Sequence, residues 1–128
     1  MDRERHANGL ALCTIAAGIC IAGASFAAMT NIIKGDPLRG NAVYQACEAC
    51  HSIDDCPRHR GVVGRRAGSV ADYSYSISLK DSGLTWDEAT LDRSLTNPSA
   101  LVPGTKMFFQ MSDAQNRADV IAFLKEQQ

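Results

Sequence analysis

Aromatic side chains are scarce in this sequence, with one tryptophan, three tyrosines and four phenylalanines among 128 residues. A chain of that length reads as one domain, and so few large rings leave a core that side chains alone fill thinly. A surplus of charge is also missing, because 13 Lys+Arg face 14 Asp+Glu for a formal net charge of −1. That balance excludes the basic field that holds nucleic acid by phosphate neutralisation, and an acidic tail as well. No nucleic-acid partner is expected. Collagen repeats, low-complexity tracts and internal repeats of about 20 to 50 residues are absent too, which excludes solenoids and propellers. The five cysteines, at positions 13, 20, 47, 50 and 56, are odd in number and irregular in spacing, so a fully paired disulfide framework does not fit.

What is present divides into two parts. Residues 1–8 are polar with Arg3 and Arg5, and the stretch from Ala7 to Ile33 then carries no charge and is rich in Ala, Gly, Leu and Ile. The stretch reads as an export segment. Leu10 to Ala24 has the length of a signal-peptide core, with small residues before possible cleavage after Ala24 or Ala27. The uncharged run is also long enough to cross a bilayer of ~30 Å as a helix, so a retained anchor within residues 9–33 is the second reading. Asp2 and Glu4 offset the two arginines and weaken the signal-peptide pattern. Under both readings the N-terminus stays inside and the domain lies on the periplasmic or otherwise exported face. Leu12 and Ile19 precede Cys13 and Cys20, which disfavours a lipoprotein site. The expected division is 1–27 signal peptide or anchor, 28–36 linker and 37–128 domain.

Within the domain, Val43, Tyr44, Ala46 and Cys47 have helical spacing and predict a first helix from about Pro37 to Cys50. Residues 52–83 contain four glycines, one proline and several serines without a sustained period and predict mostly loop. Thr85 is read as an N-cap before Trp86, Asp87 and Glu88, with Leu91 and Leu95 on the apolar face and Asn97-Pro98 as the stop. Ser112-Asp113 caps a last helix with Val120, Ile121, Phe123 and Leu124 inward and Lys125 near its end. The fold class is all-α, with three main helices joined by long loops.

Cys47-Glu48-Ala49-Cys50-His51 is C-x-x-C-H, the attachment sequence of c-type haem. Two thiols three positions apart can form thioethers with the two vinyl groups of one porphyrin, and the adjacent imidazole then lies beneath the iron. A thioredoxin-like redox pair would require a βαβ setting, which the pattern lacks. A zinc site is the stronger rival, since Cys47, Cys50, Cys56 and His59 could supply three thiolates and an imidazole. Two features favour haem. Met107 follows Val102-Pro103-Gly104-Thr105-Lys106 in a loop between two helices, where a soft thioether could close the sixth iron position. The export segment agrees as well, because c-type haem is attached on the far side of the membrane.

These residues resemble a class I c-type cytochrome of the mitochondrial cytochrome c and bacterial cytochrome c2 group. Beyond the attachment motif, the resemblance covers Gly40, Tyr44, the segment from Pro57 to Gly61, Gly64-Arg65-Arg66-Ala67-Gly68, Tyr75 and Gly83-Leu84-Thr85-Trp86. It continues through Asn97-Pro98, Pro103-Gly104-Thr105-Lys106-Met107 and the stretch from Asp119 to Lys125. It implies a small cytochrome c fold wrapped around one haem c, bound covalently by Cys47 and Cys50, with His51 and Met107 as axial ligands of the iron. It further implies that the Pro57 carbonyl accepts a hydrogen bond from the free nitrogen of His51. Arg65, Tyr75, Trp86 and Thr105 would surround the propionates, and Gly40 and Tyr44 would meet Val120 and Phe123 where the first and last helices cross. The sequence departs from the family pattern in the short interval between His51 and Pro57, in Cys56 before that proline, and in Gly40, one residue nearer Cys47 than expected. It also has Ser94 where mitochondrial members carry a tyrosine. Cys56 reads as a small turn residue or as a reactive thiol.

The function expected is one-electron transfer between redox proteins that dock transiently, without a small-molecule substrate and without catalysis, since both axial positions are filled. Met/His ligation would raise the reduction potential. Lys106, Arg58, Arg60 and the region of Phe109 are candidates for the docking rim. The membrane is a partner only if the N-terminal segment is retained. The rival classes are a haem enzyme or gas sensor with a labile sixth ligand, and a structural zinc module.

Overall fold

A computed structural model describes residues 33–55 and 57–128. The readings of residues 1–27 as signal peptide or anchor and of Cys56 as turn residue or reactive thiol lie outside the described residues. Among the described residues no helix is long and apolar enough to cross a membrane. Five helices occur there: α1 (Pro37–Tyr44), α2 (Ile77–Asp81), α3 (Glu88–Thr96), α4 (Pro98–Leu101) and α5 (Ala114–Glu126). β structure among them is confined to isolated bridges pairing Ser52 with Arg58 and Arg66 with Thr85. The all-α expectation agrees with this architecture, and α1, α3 and α5 are its three longer helices.

Helix α1 starts where Asp36 accepts hydrogen bonds from the Leu38 and Arg39 amides, with Pro37 in the first helical turn, where its missing N–H costs nothing. It ends at Tyr44, earlier than the expected Cys50. Beyond it the chain tightens into i→i+3 turns, with the Cys47 amide on the Tyr44 carbonyl at 2.7 Å and the Cys50 amide on the Cys47 carbonyl at 3.0 Å. A tighter turn departs from the 3.6-residue period, and Cys47 is accordingly half-buried while Cys50 is exposed.

The N-terminus of α3 also differs from expectation. Asp87, rather than Thr85, caps it by accepting from the Thr90 amide at 2.7 Å. Thr85 pairs with Arg66 in an extended bridge, and that pairing delays the start of the helix. The two short helices went unpredicted. Serine 76 caps α2 within the stretch read as loop, and Asn97 both ends α3 and caps α4 by accepting from the Ala100 amide. The cap expected of Asp113 is in place at α5, on the Asn116 amide at 2.7 Å.

The core joins Tyr44 to Val62, Leu91, Leu95, Met111, Val120, Ile121 and Leu124. Its main contact is the crossing of α1 over α5. Gly40 sits at that crossing, where a β-carbon would lie 2.0 Å from the Asp119 carbonyl oxygen and 2.8 Å from the Phe123 β-carbon. One turn later on the same face, the Tyr44 ring meets the Phe123 ring at 5.2 Å. The expected crossing partners therefore meet, with Asp119 added.

Asp119 is buried and holds the crossing shut. It accepts from the Asp36 amide at 2.7 Å, from Arg39 at 2.9 and 3.1 Å, and from the Gln115 amide group at 2.8 Å. A buried carboxylate is tolerable because its oxygens are so fully engaged. The Arg39 hydrogen bond holds its acidity at a pKa of about 2, below the ordinary 3.8, against the opposing effect of burial. On the other side of α5, Arg117 bridges to Asp92 of α3 at 2.7 Å and donates to the Met111 and Ser112 carbonyls.

Gly40→Ala is expected to destabilise the holoprotein by about 1–3 kcal/mol, the usual cost of overpacking a tight contact, read as a lower urea midpoint. For Asp119 the folded pKa is depressed, so its contribution is complete above about pH 4 and is lost as pH falls toward about 2. The urea midpoint of the parent should therefore drop across that window more steeply than that of Asp119→Asn, which should be less stable than the parent near neutrality.

Candidate functional site

The turns after α1 carry Cys47, Cys50 and His51 in immediate succession, with the His51 amide donating to the Cys47 carbonyl at 2.8 Å. Neither Cys47 nor Cys50 is in a disulfide. Burial, reinforced by the nearby Glu48 charge, raises Cys47 to about 11, so its thiol is protonated near neutral pH. His51 Nδ1 donates to the Pro57 carbonyl at 3.1 Å. That bond places the proton on Nδ1 and leaves the lone pair of Nε2 free for a metal. The interval between His51 and Pro57 is thus short enough to close on itself. It closes as a small loop whose ends are joined by the His59 amide to the Ser52 carbonyl at 2.9 Å and the Arg60 amide to the Ile53 carbonyl at 2.7 Å.

Met107 stands in the loop between α4 and α5, half-buried against the core. Pro103-Gly104 turns the chain toward it, with Gly104 at φ +87°, a conformation that favours glycine, and a β-carbon there would lie 2.6 Å from the Ser78 hydroxyl, which would have to turn aside. Thr105 Oγ1 accepts from the Met107 amide at 3.4 Å, and Lys106 donates to the Ser74 carbonyl at 2.5 Å. Met111, four residues on, is buried in the core, and its amide donates to the Leu95 carbonyl. The segment therefore provides one loop thioether and one core thioether.

Of the residues expected around the propionates, three come together. Arg65 donates to the Arg60 carbonyl at 2.8 Å and the Arg58 carbonyl at 2.7 Å. The Trp86 amide donates to the Arg65 carbonyl at 2.9 Å, and Trp86 packs half-buried against the core. Tyr75 interacts electrostatically with Arg65, and its ring meets the edge of Tyr73 at 4.8 Å. Burial lowers the pKa of Arg65, partly offset by Tyr75. The Thr105 bonds found here stay within its own turn, to the Val102 carbonyl and from the Met107 amide.

One residue at the site had no signal in the sequence beyond its place in the rival zinc set. The His59 ring stacks on His51, with centroids 4.1 Å apart and planes 20° apart, and its Nδ1 lies 3.0 Å from the Tyr44 hydroxyl. Burial first, then the charges of His51 and Arg65, push His59 down to about 3, so it is neutral at physiological pH. Its contact with His51 comes from the closing of the loop between them, which residue types do not announce.

The donor set fits a c-type haem: two thiols at attachment spacing, an imidazole presenting Nε2, a loop thioether, and the partly buried apolar residues Ile53, Val63 and Trp86 beside them. Among the described residues no group of three or more His, Cys, Asp or Glu could hold a metal ion, and the proposed fourth member of a zinc cage, Cys56, lies outside them.

Comparison with known proteins agrees with the geometry. The cytochrome c family model matches residues 38–128. The chain is 50% identical over 100 residues to cytochrome c2 of Rhodomicrobium vannielii, covering 73% of this chain and 80% of that protein. It is 36% identical over 126 residues to cytochrome c-554 of Methylosinus trichosporium, covering 93% of each. Among solved structures, cytochrome cH from Methylobacterium extorquens superposes with a TM-score of 0.68 at 45% identity, over 72% of this chain and 99% of that one.

The two Arg65 bonds pin the loop that carries Pro57 and His59. Because each hydrogen bond from a charged group contributes about 1.5–3 kcal/mol, Arg65→Lys, which lacks the fork, should speed amide hydrogen exchange at His59 and Arg60 by roughly tenfold or more. Amides in α5 should be unaffected.

Proposed function

The chain belongs to the cytochrome c family, a family of monohaem electron carriers with haem c attached covalently, and from that premise we propose how its own residues serve one-electron transfer. Cys47 and Cys50 are the thioether positions, and His51 and Met107 are the axial ligands. Bound haem supplies a Fe(III)/Fe(II) couple. The observation that carries this assignment is the His51 to Pro57 hydrogen bond, which orients Nε2 as the coordinating nitrogen within one loop of the two thiols.

The residues divide the remaining work. The Pro57 carbonyl raises the basicity of His51 by accepting from Nδ1. Met107 contributes a soft thioether that favours the ferrous state and so raises the potential. Arg65, with Tyr75 and Trp86 beside it, offers a half-buried cation for the propionates, and Thr105 offers a hydroxyl from the Met107 turn. With His51 and Met107 both holding the iron, it would keep no open site for a substrate, which supports a carrier and not an enzyme.

Its partners are redox proteins that dock briefly. Phe108 and Phe109, at 76% and 43% exposure beside Met107, give the docking surface an apolar centre. Arg60 is paired with Asp54 at 2.5 Å, and Arg58 lies 3.9 Å from Asp72, so both arginines contribute less to the rim than their charge suggests. Small, weak interfaces suffice for such encounters. The domain works on the exported, periplasmic side, delivered by residues 1–27 as a leader or held by residues 9–33 as an anchor.

Expression with haem attachment and export should give a red protein with one haem per chain and a sulfur-to-iron charge-transfer band in the ferric near-infrared spectrum. Met107→Ala should abolish that band and lower the reduction potential by on the order of 100 mV, within the ~0.8 V range that axial ligands command. A parent without the band would support a labile sixth position, and a colourless protein with stoichiometric zinc would support the metal-cage alternative. Mass spectrometry of the exported protein should find residues 1–24 or 1–27 removed if the segment is a leader, and the full chain if it is an anchor.

A further inference from the structure

A hydrogen bond from Nδ1 to the Pro57 carbonyl restrains one atom of the His51 ring and leaves the plane of the ring free to tilt about that contact. A second restraint acting on the face of the ring would fix the plane, and the structure contains one. The His59 imidazole lies 4.1 Å from His51, nearly parallel at 20°. His59 is held at two further points: its amide donates to the Ser52 carbonyl at 2.9 Å, and its Nδ1 and the Tyr44 hydroxyl share a hydrogen bond of 3.0 Å. Tyr44 is itself 1% exposed and wedged against Phe123 at the crossing of α1 and α5.

We propose that His59 is a positioning residue for the axial histidine: held by Tyr44, its ring stacks on His51 and sets the plane in which the His51 imidazole meets the iron. The inference rests on the reading of His51 as the axial ligand. An aliphatic residue would fill the same volume but would not supply a flat face against the ring, nor share a hydrogen bond with a buried tyrosine. The choice of histidine here is therefore explained by orientation. The plane of an axial imidazole matters because its π orbital overlaps unequally with the iron d orbitals as the ring turns, which alters both the unpaired spin distribution of the ferric state and the ferric/ferrous equilibrium.

The test uses the holoprotein and three variants: His59→Leu, Tyr44→Phe and the double variant. Tyr44→Phe keeps the buried ring and removes only the hydroxyl, so it reports on the chain even if His59→Leu folds poorly. In the ferric parent, hyperfine coupling from 15N-labelled histidine should show an imidazole on the iron. The order of the paramagnetically shifted haem methyl protons should change in His59→Leu and shift in the same direction, by less, in Tyr44→Phe. The ferric/ferrous equilibrium constant should change by at least threefold in His59→Leu, equivalent to ~28 mV at 59 mV per tenfold for one electron. The double variant should resemble His59→Leu, because both substitutions break one chain and are not additive. Lower stability with an unchanged methyl pattern and potential would make His59 a packing residue and overturn the inference, with the His51 assignment standing. Absence of imidazole coupling in the parent would overturn the His51 assignment and the inference with it.

Discussion

The close crossing of α1 over α5 is the constraint on which the rest of the structure depends. It exists because Gly40 lets the backbone of α1 rest on the Asp119 carbonyl, closer than any side chain would permit. The same Asp119 uses its carboxylate to hold the Asp36 amide and Arg39 guanidinium that begin α1. One residue thus supplies the surface against which the helix packs and the anchor that stops it sliding. A buried carboxylate in this position would be destabilising if its donors were lost, so the clasp and the close approach depend on each other.

From that crossing a short line of contacts leads to the chemistry. Tyr44 lies one turn beyond Gly40 on the same face and is trapped between Phe123 and His59. Its carbonyl accepts from the Cys47 amide, and the Cys47 carbonyl accepts from the His51 amide, so the backbone carries the attachment motif away from a fixed point. Its hydroxyl meanwhile reaches His59, which stacks on His51. His51 is therefore held along two routes that both begin at Tyr44. Of the few aromatic residues available, Tyr44 and Phe123 are spent where a rigid contact positions something else.

Much of this was legible in the sequence, and the parts that were not share a cause. The attachment motif, the cap of α5, and the Pro-Gly turn before Met107 are local patterns whose residues act on near neighbours, so reading along the chain recovers them. The start of α3 was misplaced because Thr85 is drawn into pairing with Arg66, nineteen positions earlier, a long-range contact that overrides a plausible cap. The end of α1 was overrun because apolar spacing continued after the hydrogen bonding had changed from i→i+4 to i→i+3. Gly40 is recognisable as a crossing residue only through resemblance, and nothing in the sequence pattern alone marks Asp119 as its partner. His59 was visible as a possible metal ligand, yet its role depends on a loop folding back to place it over a residue eight positions away. Sequence shows which groups are available, and loop closure decides which of them meet.

The two residues proposed to hold the iron, His51 and Met107, are fastened by unequal means. On the histidine side, the ring is gripped at an edge by Pro57 and across a face by His59, and the loop carrying both is fastened by Arg65 through the Arg58 and Arg60 carbonyls. On the methionine side, the fastenings near Met107 are its own amide on the Thr105 hydroxyl at 3.4 Å and Lys106 on the Ser74 carbonyl, with Phe108 and Phe109 following on the surface. Local opening is easiest where backbone groups are exposed and buried contacts few. His51 is therefore tied to the core from the helix crossing outward, whereas Met107 packs against the core by its own side chain and is fastened at the backbone within its turn. For the proposed carrier that division would matter, because the iron would be held from a firmly fastened loop on one side, while the exposed Phe108 and Phe109 lie beside the other proposed ligand.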